Sequence, residues 1–323
     1  MSEGEASGAG RDGRGASGPW TTRRLLEWMR QRFQAKGLPS PRLAAEMLLC
    51  HVLGCERMRL YMDVDRPASG AELDALRPLV VRASNHEPVD YLVGRRWFFS
   101  REFAVDRCTM IPQPCTEDLV SHVIEWFRDR AGQSSQAQHA EPGRGPLIAD
   151  IGTGTGCIAV SLAAELDGVR LLATDVVPEA LALARRNAER HGVADRIVFV
   201  EGSLLEPLGE WAQREGEQFS AICSNPPYIS DVEWEGGAVE RSVREFVPAR
   251  AVRAGPDGLD CIRPLVAGAG RLLRPGGLLA LEIGARQREP VVELAQAVGL
   301  CDVRVLKDLE GRWRVLLGEK GRG

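Results

Sequence analysis

The sequence predicts an α/β fold, a doubly wound and mostly parallel sheet, preceded by a small helical domain. After Pro146, apolar runs of strand length alternate with amphipathic helices, which is typical of a parallel sheet with helices on both faces. The first of these runs leads into a glycine-rich turn, where such sheets bind ligands. Between Trp20 and Ser84, apolar residues recur at helical spacing instead, which predicts the helical domain.

Composition sets the broad class of the protein. The 323 residues are 44% apolar, which is enough for one large domain and a small one. A formal net charge of -4 provides no global basic field for nucleic acid or an acidic membrane. We find neither a run of roughly 18 apolar residues nor a targeting pattern, so we expect a cytoplasmic protein without membrane association. The polar residues 1–19 are predicted to be a disordered tail.

The eight cysteines are scattered, without the paired spacing that zinc sites need. Several lie inside apolar runs, where a free thiol packs as a small core residue. The sequence therefore predicts no metal site, and thiols that a reducing cytoplasm keeps free.

The helical domain is predicted to contain three helices. The first begins at Thr21 or Thr22, either of which can cap it, and carries apolar residues three to four positions apart. A second helix from about Arg42 ends at Gly54, and a third spans about Ala71–Ala83 although it contains a proline.

The segment after this domain changes from helical spacing to short aromatic and β-branched runs. Residues 97–99 and 103–105 are such runs, and we interpret residues 97–116 as a β-hairpin linker. A helix is predicted from Glu117 to Arg130, followed by a polar, flexible loop over residues 131–145.

Seven strands are predicted in the remainder of the chain. Helices at Cys157–Glu165 and Glu179–His191 follow the first two strands. The last two strands are joined by too few residues for a crossover helix, so we expect them to pair antiparallel. The seven strands are Leu147–Ile151, Arg170–Thr174, Ile197–Glu201, Phe219–Ser224, Leu278–Ile283, Val303–Leu306 and Trp313–Leu317.

A candidate cofactor pocket lies at the end of the first strand. The turn Asp150–Gly156 opens a helix, and its three glycines let the backbone approach a ligand closely, although a tight connection without a ligand also fits. Asp175 ends the next strand, where its carboxylate can accept hydrogen bonds from both hydroxyls of a ribose. Leu204 ends the third strand and can pack on an adenine ring, while Ser203 can reach its polar edge. An NAD site also has a glycine turn and an acid, but its fingerprint is GxGxxG and the turn here is GxGxG.

The segment Asn225-Pro226-Pro227-Tyr228 follows the fourth strand at the same sheet edge. The prolines fix the backbone and remove two N–H donors, so nearby carbonyls can point outward as acceptors. Asn225 supplies another acceptor. Two acceptors that bind the N–H bonds of a planar amide or aryl amine can orient this poor nucleophile, and Tyr228 can stack on it. A rigid turn without chemistry is the alternative.

These two motifs together resemble the amino-methylating class of Rossmann-like methyltransferases. From Trp20 to Leu317 the sequence further resembles the peptide chain release factor glutamine N5-methyltransferases (PrmC/HemK). The additional motifs that carry this resemblance are Leu43-Ala44-Ala45-Glu46-Met47-Leu48-Leu49, Ile111-Pro112-Gln113-Pro114, Thr116-Glu117, Asp257-Gly258-Leu259-Asp260, Glu282-Ile283-Gly284 and Lys307-Asp308-Leu309-Glu310-Gly311.

The resemblance implies the domains and the site. Residues 20–96 would recognise the substrate, residues 97–116 would link, and residues 117–323 would form a seven-stranded class I methyltransferase domain. Catalysis would depend on Asn225, Pro226 and Tyr228, and the glutamine amide would be held by Asn225, Pro226, Pro227 and Tyr228. S-adenosyl-L-methionine would be contacted by Gly152, Thr153, Gly154, Thr155, Gly156, Asp175, Leu204 and Asn225. The implied substrate is the glutamine of the Gly-Gly-Gln loop of class I release factors.

The sequence departs from the family at three positions. Where the family has Ile-Pro-Arg-Pro-acid-Thr-Glu, this chain has Gln113 and Cys115, so an ion pair is absent or replaced by neutral hydrogen bonds. The usual Tyr-Glu-Pro appears as Phe246-Val247-Pro248, which removes a further charge and a hydroxyl. These changes affect how the linker closes over the site more than they affect the chemistry.

Three other functions fit parts of the pattern. A methyltransferase acting on amino groups of nucleic-acid bases needs the same two acceptors, but it usually carries a basic surface, and this chain has 41 basic and 45 acidic residues. We therefore expect no stable nucleic-acid binding. Glutamine methylation of a ribosomal protein is a close alternative. An adaptor that only binds S-adenosylmethionine is a third.

Overall fold

The computed structural model describes residues 18–133 and 145–322, and the chain divides into two compact units at Val89 and Asp90. The predicted disordered tail, apart from residues 18 and 19, lies outside the described residues. Most of the predicted flexible loop, residues 134–144, does so too. No helix in the described part of the chain is long and apolar enough to cross a membrane.

The first unit is helical, as predicted. Thr21 caps the first helix, because its side-chain oxygen accepts a hydrogen bond from the backbone N–H of Arg24 at 3.4 Å. The second helix ends at Gly54 in the left-handed conformation, also as predicted. The helices are α1 (Thr22–Ala35), α2 (Pro41–Leu53), α3 (Arg57–Met62), α4 (Gly70–Ser84) and α5 (Val89–Val93), which continues into the second unit.

Helix α3 was not predicted, whereas the continuation of α4 through Pro78 was. Helix α3 is attached to α2 through the fully buried Glu46, whose carboxylate accepts hydrogen bonds from Arg42 and Arg57, each at 2.8 Å, and from Tyr61. Helix α4 continues past Pro78, which costs roughly 3 kcal/mol in a helix interior. A capping box at the start of α4 offsets part of that cost.

The described part of the second unit has these strands: β1 (Arg95–Phe98), β2 (Arg101–Ala104), β3 (Leu147–Ile151), β4 (Arg170–Asp175), β5 (Ile197–Glu201), β6 (Phe219–Ser224), β7 (Leu273–Glu282), β8 (Leu300–Lys307) and β9 (Trp313–Lys320). The first two form a hairpin, and the other seven form one sheet with the order β5-β4-β3-β6-β7-β9-β8. The first five strands in that order are parallel, while β9 pairs antiparallel with both of its neighbours, so the predicted antiparallel pair is confirmed.

Helices cover both faces of this sheet. They are α6 (Pro114–Gln133), α7 (Cys157–Glu165), α8 (Pro178–Arg190), α9 (Glu206–Glu215), α10 (Asp231–Glu235), α11 (Arg241–Phe246), α12 (Ile262–Leu272) and α13 (Arg288–Ala297). One apolar cluster joins α6 and α7 to the sheet, and a second joins α12 and α13 to its other face.

The hairpin, β1 and β2, is present but its predicted strand ends were wrong. Phe99 and Ser100 form a two-residue turn with φ of 48° and 59°, so Phe99 is not a strand residue. The side chain of Glu117 accepts a hydrogen bond from the Phe99 backbone N–H at 2.9 Å, which stabilises this turn. Helix α6 begins at Pro114 rather than at Glu117, because proline is well suited to the first position of a helix.

Strand β7 also begins earlier than predicted. Leu273 pairs with Phe219 and Leu278 with Ala221, so four residues on β7 lie opposite one on β6. Residues 274–277 therefore form an irregularity within the strand. The carboxyl end of β7, which matters for the site, is Glu282, one residue before the predicted end at Ile283.

Candidate active site

Asp150, near the carboxyl end of β3, organises the glycine-rich turn. Its Oδ2 accepts hydrogen bonds from the Thr153 hydroxyl at 2.6 Å and from the Ala159 backbone N–H at 3.1 Å. Its Oδ1 has no hydrogen-bond partner among the described residues. Complete burial and, to a smaller extent, the nearby charge of Asp175 raise the pKa of Asp150 to about 7, although the two hydrogen bonds oppose the rise.

The three glycines of the turn all have positive φ, at 68°, 54° and 80°. The last one, Gly156, also needs its lack of a side chain, because an added Cβ would lie 3.0 Å from the Cβ of Ala184 in α8. Asn187, also in α8, donates to the Thr155 carbonyl at 2.8 Å and to the Ala104 carbonyl at 3.1 Å. The turn is thus fixed against α8 and the hairpin.

Asp175 ends β4 and contacts the turn directly. Its Oδ2 accepts from the Gly154 N–H at 2.9 Å, and its Oδ1 accepts from the Val177 N–H at 3.0 Å. Burial raises the pKa of Asp175, and these backbone hydrogen bonds counteract the rise. Each carboxylate oxygen keeps a free lone pair for a further donor.

Leu204 lies in the segment that follows β5. The Gly202 N–H donates to the Asp175 carbonyl at 3.1 Å, which brings this segment next to the end of β4. Leu204 has φ of 48°, a left-handed conformation that a bulky residue rarely adopts. Its side chain is half-buried, while Ser203 is exposed. Backbone strain of this kind is concentrated at ligand sites.

Asn225 follows β6 beside the glycine turn. The Ser224 hydroxyl donates to the Ile151 carbonyl at 2.7 Å, so the ends of β6 and β3 are joined. The Asn225 Nδ2 donates to the Thr116 hydroxyl oxygen at 3.0 Å. Neither Asn225 Oδ1 nor the Pro226 carbonyl accepts a hydrogen bond from any residue that the structure describes. Both oxygens are therefore available as acceptors, and their predicted contact with a substrate amide stays a prediction.

Tyr228 is fixed at both of its ends. Its hydroxyl donates to Glu282 Oε1 at 3.3 Å, and its backbone carbonyl accepts from Gln287 Nε2 at 3.0 Å. The guanidinium of Arg314 lies 5.8 Å from the centre of its ring. Burial raises the pKa of Tyr228, as does the adjacent carboxylate, so the hydroxyl stays protonated.

Gly258 gives a structural role to the motif Asp257-Gly258-Leu259-Asp260, for which the sequence indicated none. It has φ of 77°, and an added Cβ would lie 2.3 Å from the Tyr228 carbonyl oxygen. Its own carbonyl accepts from Gln287 Nε2 at 2.9 Å. Glycine is therefore required for the backbone to pass Tyr228, and Gln287, which no sequence signal indicated, connects the two segments.

Sequence reasoning also missed a polar cluster beneath Asn225. Glu282, at the end of β7, is fully buried and accepts hydrogen bonds from the Thr116 hydroxyl at 2.6 Å and the Cys115 thiol at 3.3 Å. An acidic residue that ends an apolar strand was the available signal.

Thr109, which lies near the glycine-rich turn, was not among the predicted site residues either. Its hydroxyl is buried without a partner among the described residues, and its Cβ is 3.9 Å from where a side chain on Gly154 would begin.

Gln113 and Cys115, two of the departures from the family, both donate side-chain hydrogen bonds. The Gln113 side chain donates to the Ile111 carbonyl at 2.9 Å, and the Cys115 thiol donates to Glu282. Phe246 lies beneath the guanidinium of Arg107, 5.3 Å from its ring centre. Across residues 18–133 and 145–322, no group of three His, Cys, Asp or Glu side chains could hold a metal ion.

Comparison with known proteins gives matches over nearly the whole chain. The PrmC N-terminal domain family matches residues 24–94, and the methyltransferase small domain family matches residues 136–249. A release factor glutamine methyltransferase from Geobacter sulfurreducens is 39% identical over 302 residues, 94% of this chain and 98% of that protein. One from Chlorobaculum tepidum is 38% identical over 291 residues, covering 90% and 94% respectively.

A solved structure supports the fold. The hMettl16 catalytic domain in complex with MAT2A 3′UTR hairpin 6 has a TM-score of 0.50 and 18% identity, over 76% of this chain and 92% of that one. The predicted Rossmann-like, seven-stranded class I methyltransferase fold is confirmed. At this identity the likeness carries no information on the substrate.

Proposed function

This chain belongs to the release factor glutamine methyltransferase family, and we propose that it methylates the side-chain amide nitrogen of a glutamine in a peptide chain release factor. It is a methyltransferase that uses S-adenosylmethionine. The observation that carries the proposed acceptor is the pair of free oxygens, Asn225 Oδ1 and the Pro226 carbonyl. A primary amide has two N–H bonds, and two fixed acceptors match them.

The residues around the glycine turn fit S-adenosylmethionine. The Asp175 carboxylate is held by backbone amides and keeps free lone pairs for the two ribose hydroxyls. Leu204 is the apolar surface for adenine. The side chain of Thr153 already donates to Asp150 and that of Thr155 is buried, so we assign their contacts to the backbone. When bound, the cofactor supplies an electrophilic methyl group on a sulfonium.

In the proposed reaction, Asn225 and Pro226 do the orienting. An amide nitrogen is a weak nucleophile because its lone pair is delocalised into the carbonyl. Acceptors on both N–H bonds align that lone pair and disperse the positive charge that develops as the new N–C bond forms. The methylated nitrogen then loses one proton to water, so no strong general base is needed. Tyr228, fixed by Glu282 and Gln287, provides an aromatic face for the planar amide.

We assign substrate recognition to the helical unit and the reacting glutamine to the Gly-Gly-Gln loop of class I release factors. The helical unit carries exposed apolar side chains that a protein partner can cover, among them Met58 and Met62, which are 69% and 70% exposed. A glycine-flanked glutamine is flexible enough to extend its side chain between Pro226 and a bound cofactor.

A chain that starts at Asp90 tests this division of labour. It should bind S-adenosylmethionine with unchanged affinity by calorimetry, yet lose most activity on an intact release factor. A cut at Glu117 would remove Thr116 and the first turn of α6, so residue 90 is the better boundary. Its melting temperature with and without cofactor is the control for folding. A truncated chain as active as the full chain contradicts the assignment of the helical unit.

The class of acceptor is tested with methyl-labelled S-adenosylmethionine and whole-cell extract. The label should enter a protein band that protease removes and nuclease does not. Label in nucleic acid would favour the base methyltransferase, which shares the same two acceptors, and label in a ribosomal protein would favour the other glutamine substrate. A protein that binds the cofactor and transfers no label would be an adaptor.

A further inference from the structure

We propose that Thr116 and Glu282 are positioning residues, which fix the side-chain amide of Asn225 with its oxygen turned toward the methyl acceptor. This proposal rests on the proposed function, since it concerns the oxygen that would receive the substrate N–H. It is carried by a continuous hydrogen-bonded chain from Glu282 Oε2 through the Thr116 hydroxyl to Asn225 Nδ2, with distances of 2.6 and 3.0 Å.

The donor and acceptor of each of these hydrogen bonds follow from the number of protons available. The Thr116 hydroxyl has one proton, and it donates this proton to Glu282. Its oxygen can then only accept from Asn225. The Nδ2 of Asn225 must therefore face Thr116, because a rotated amide would direct Oδ1 at an oxygen with no proton to give. An asparagine amide alone has two nearly isosteric orientations, and Thr116 selects one of them.

Glu282 is the fixed end of the chain. It is fully buried, and burial raises the pKa of its carboxyl group. The hydrogen bonds from Thr116, Cys115 and Tyr228 and the charge of Arg314 oppose that rise and favour the ionised form, which can only accept hydrogen bonds. Thr116 donates to its Oε2, while Cys115 and Tyr228 each donate to its Oε1 at 3.3 Å. Arg314 is the basic residue that faces this cluster, over the ring of Tyr228. The same carboxylate therefore holds both polar side chains of the segment Asn225–Tyr228.

The family departure at Cys115 strengthens this arrangement. An acid at that position would place a second negative charge against Glu282, whereas the thiol gives it a third donor. Burial raises the pKa of the Cys115 thiol to about 12, and the charge of Glu282 contributes to the rise, so Cys115 remains a donor at neutral pH. The three side chains that form hydrogen bonds with this carboxylate, among the described residues, are therefore all donors.

Two variants of Thr116 test the proposal in the full-length enzyme. Thr116→Val keeps the shape but removes the hydroxyl, and it should lower kcat about tenfold, the equivalent of one hydrogen bond, with KM and cofactor affinity within about twofold. Thr116→Ser keeps the hydroxyl and should stay within about threefold of the parent kcat. Equal rates for the two variants, or a change in KM alone, would overturn the proposal.

A second measurement needs no substrate, so it separates failure of this chain of hydrogen bonds from failure of the proposed acceptor. The side-chain amide of Asn225 can be assigned in ¹H–¹⁵N spectra as the signal that disappears in Asn225→Ala. Its protons should exchange with water at least about tenfold faster in Thr116→Val than in the parent or in Thr116→Ser. Glu282→Gln should also accelerate exchange, since the new amide can donate to Thr116 and release its proton toward Asn225. Exchange rates that do not differ would overturn the proposal.

Discussion

At the ends of β3 and β4, the carboxylates accept hydrogen bonds mainly from backbone amides, with one from the Thr153 hydroxyl, whereas the segment Asn225–Tyr228 after β6 is held by side chains. Asp150 and Asp175 accept from the N–H groups of Ala159, Gly154 and Val177. All five residues lie in one stretch of the sequence, from the end of β3 to the start of α8. At β6, the contacts come from Thr116, Glu282 and Gln287, which lie 109, 54 and 59 residues away from their partners along the chain.

The difference implies two kinds of dependence. The cofactor side needs a particular backbone path, which the glycines permit. Once the backbone takes this path, its amides orient the carboxylates of Asp150 and Asp175. The acceptor side needs α6, β7 and α13 to be packed correctly before Asn225 and Tyr228 are oriented. We therefore expect cofactor binding to survive changes on the acceptor side, and stability to respond most to changes at Asp150.

The largest effect is expected on stability, at Asp150. Its pKa of about 7 in place of 3.8 means that the folded state holds a proton which the unfolded chain releases. The associated stability is present below about pH 4 and is lost as pH rises to about 7, in total about 4 kcal/mol. When the pH rises from about 5 to 8, the free energy of unfolding measured in urea should fall by about 3 kcal/mol more in the parent than in Asp150→Asn.

The exposed Asp167→Asn provides the matched control for this experiment, because it makes the same chemical change at the surface. It should leave the pH dependence of the parent intact. If Asp150→Asn and the parent lose stability in parallel with pH, then the buried carboxylate is not protonated in the folded state.

The next effect is on methyl transfer. Asn225→Ala removes one of the two free acceptors and should lower the rate by on the order of a hundredfold or more. Cofactor affinity, measured by calorimetry, should change far less, because Asp175 and the glycine turn are unaffected. A variant that transfers methyl at the parent rate would remove Asn225 from the reaction. Loss of cofactor affinity as large as the loss of rate would show that the two sides are not separate.

A smaller effect is expected from Asp175→Ala. It should weaken S-adenosylmethionine binding by about 1 to 3 kcal/mol, because a charged acceptor for the two ribose hydroxyls is lost. Glu179→Ala removes an exposed carboxylate four residues later and is the matched control for charge. If calorimetry gives both variants the parent affinity, Asp175 does not bind the ribose.

The same contrast explains what the sequence could predict. The glycine turn, Asp175 and the segment after β6 are contiguous motifs, so their place at the carboxyl edge of the sheet followed from strand order alone. Proline and glycine carry their backbone constraints in the sequence. The hairpin turn at Phe99 and Ser100 did not follow, because neither residue favours positive φ, and the contact from Glu117 is a tertiary one.

The hydrogen bonds of Asn225 to Thr116 and of Thr116 to Glu282 were not predicted, for a related reason. Thr116 is at the start of a helix and Glu282 at the end of a strand, and both positions have ordinary local explanations. Only the packing of α6 against the sheet brings the two within hydrogen-bond distance. Gln287 is one residue before α13 and has no sequence signal at all.

Incubation of the full-length protein with purified class I release factor and S-adenosylmethionine, followed by tandem mass spectrometry, tests the proposed acceptor. We predict one added methyl group on the side-chain nitrogen of the glutamine in the Gly-Gly-Gln loop, and none when Asn225→Ala replaces the parent. A methyl group on another residue, or on nucleic acid and not on the release factor, would contradict it.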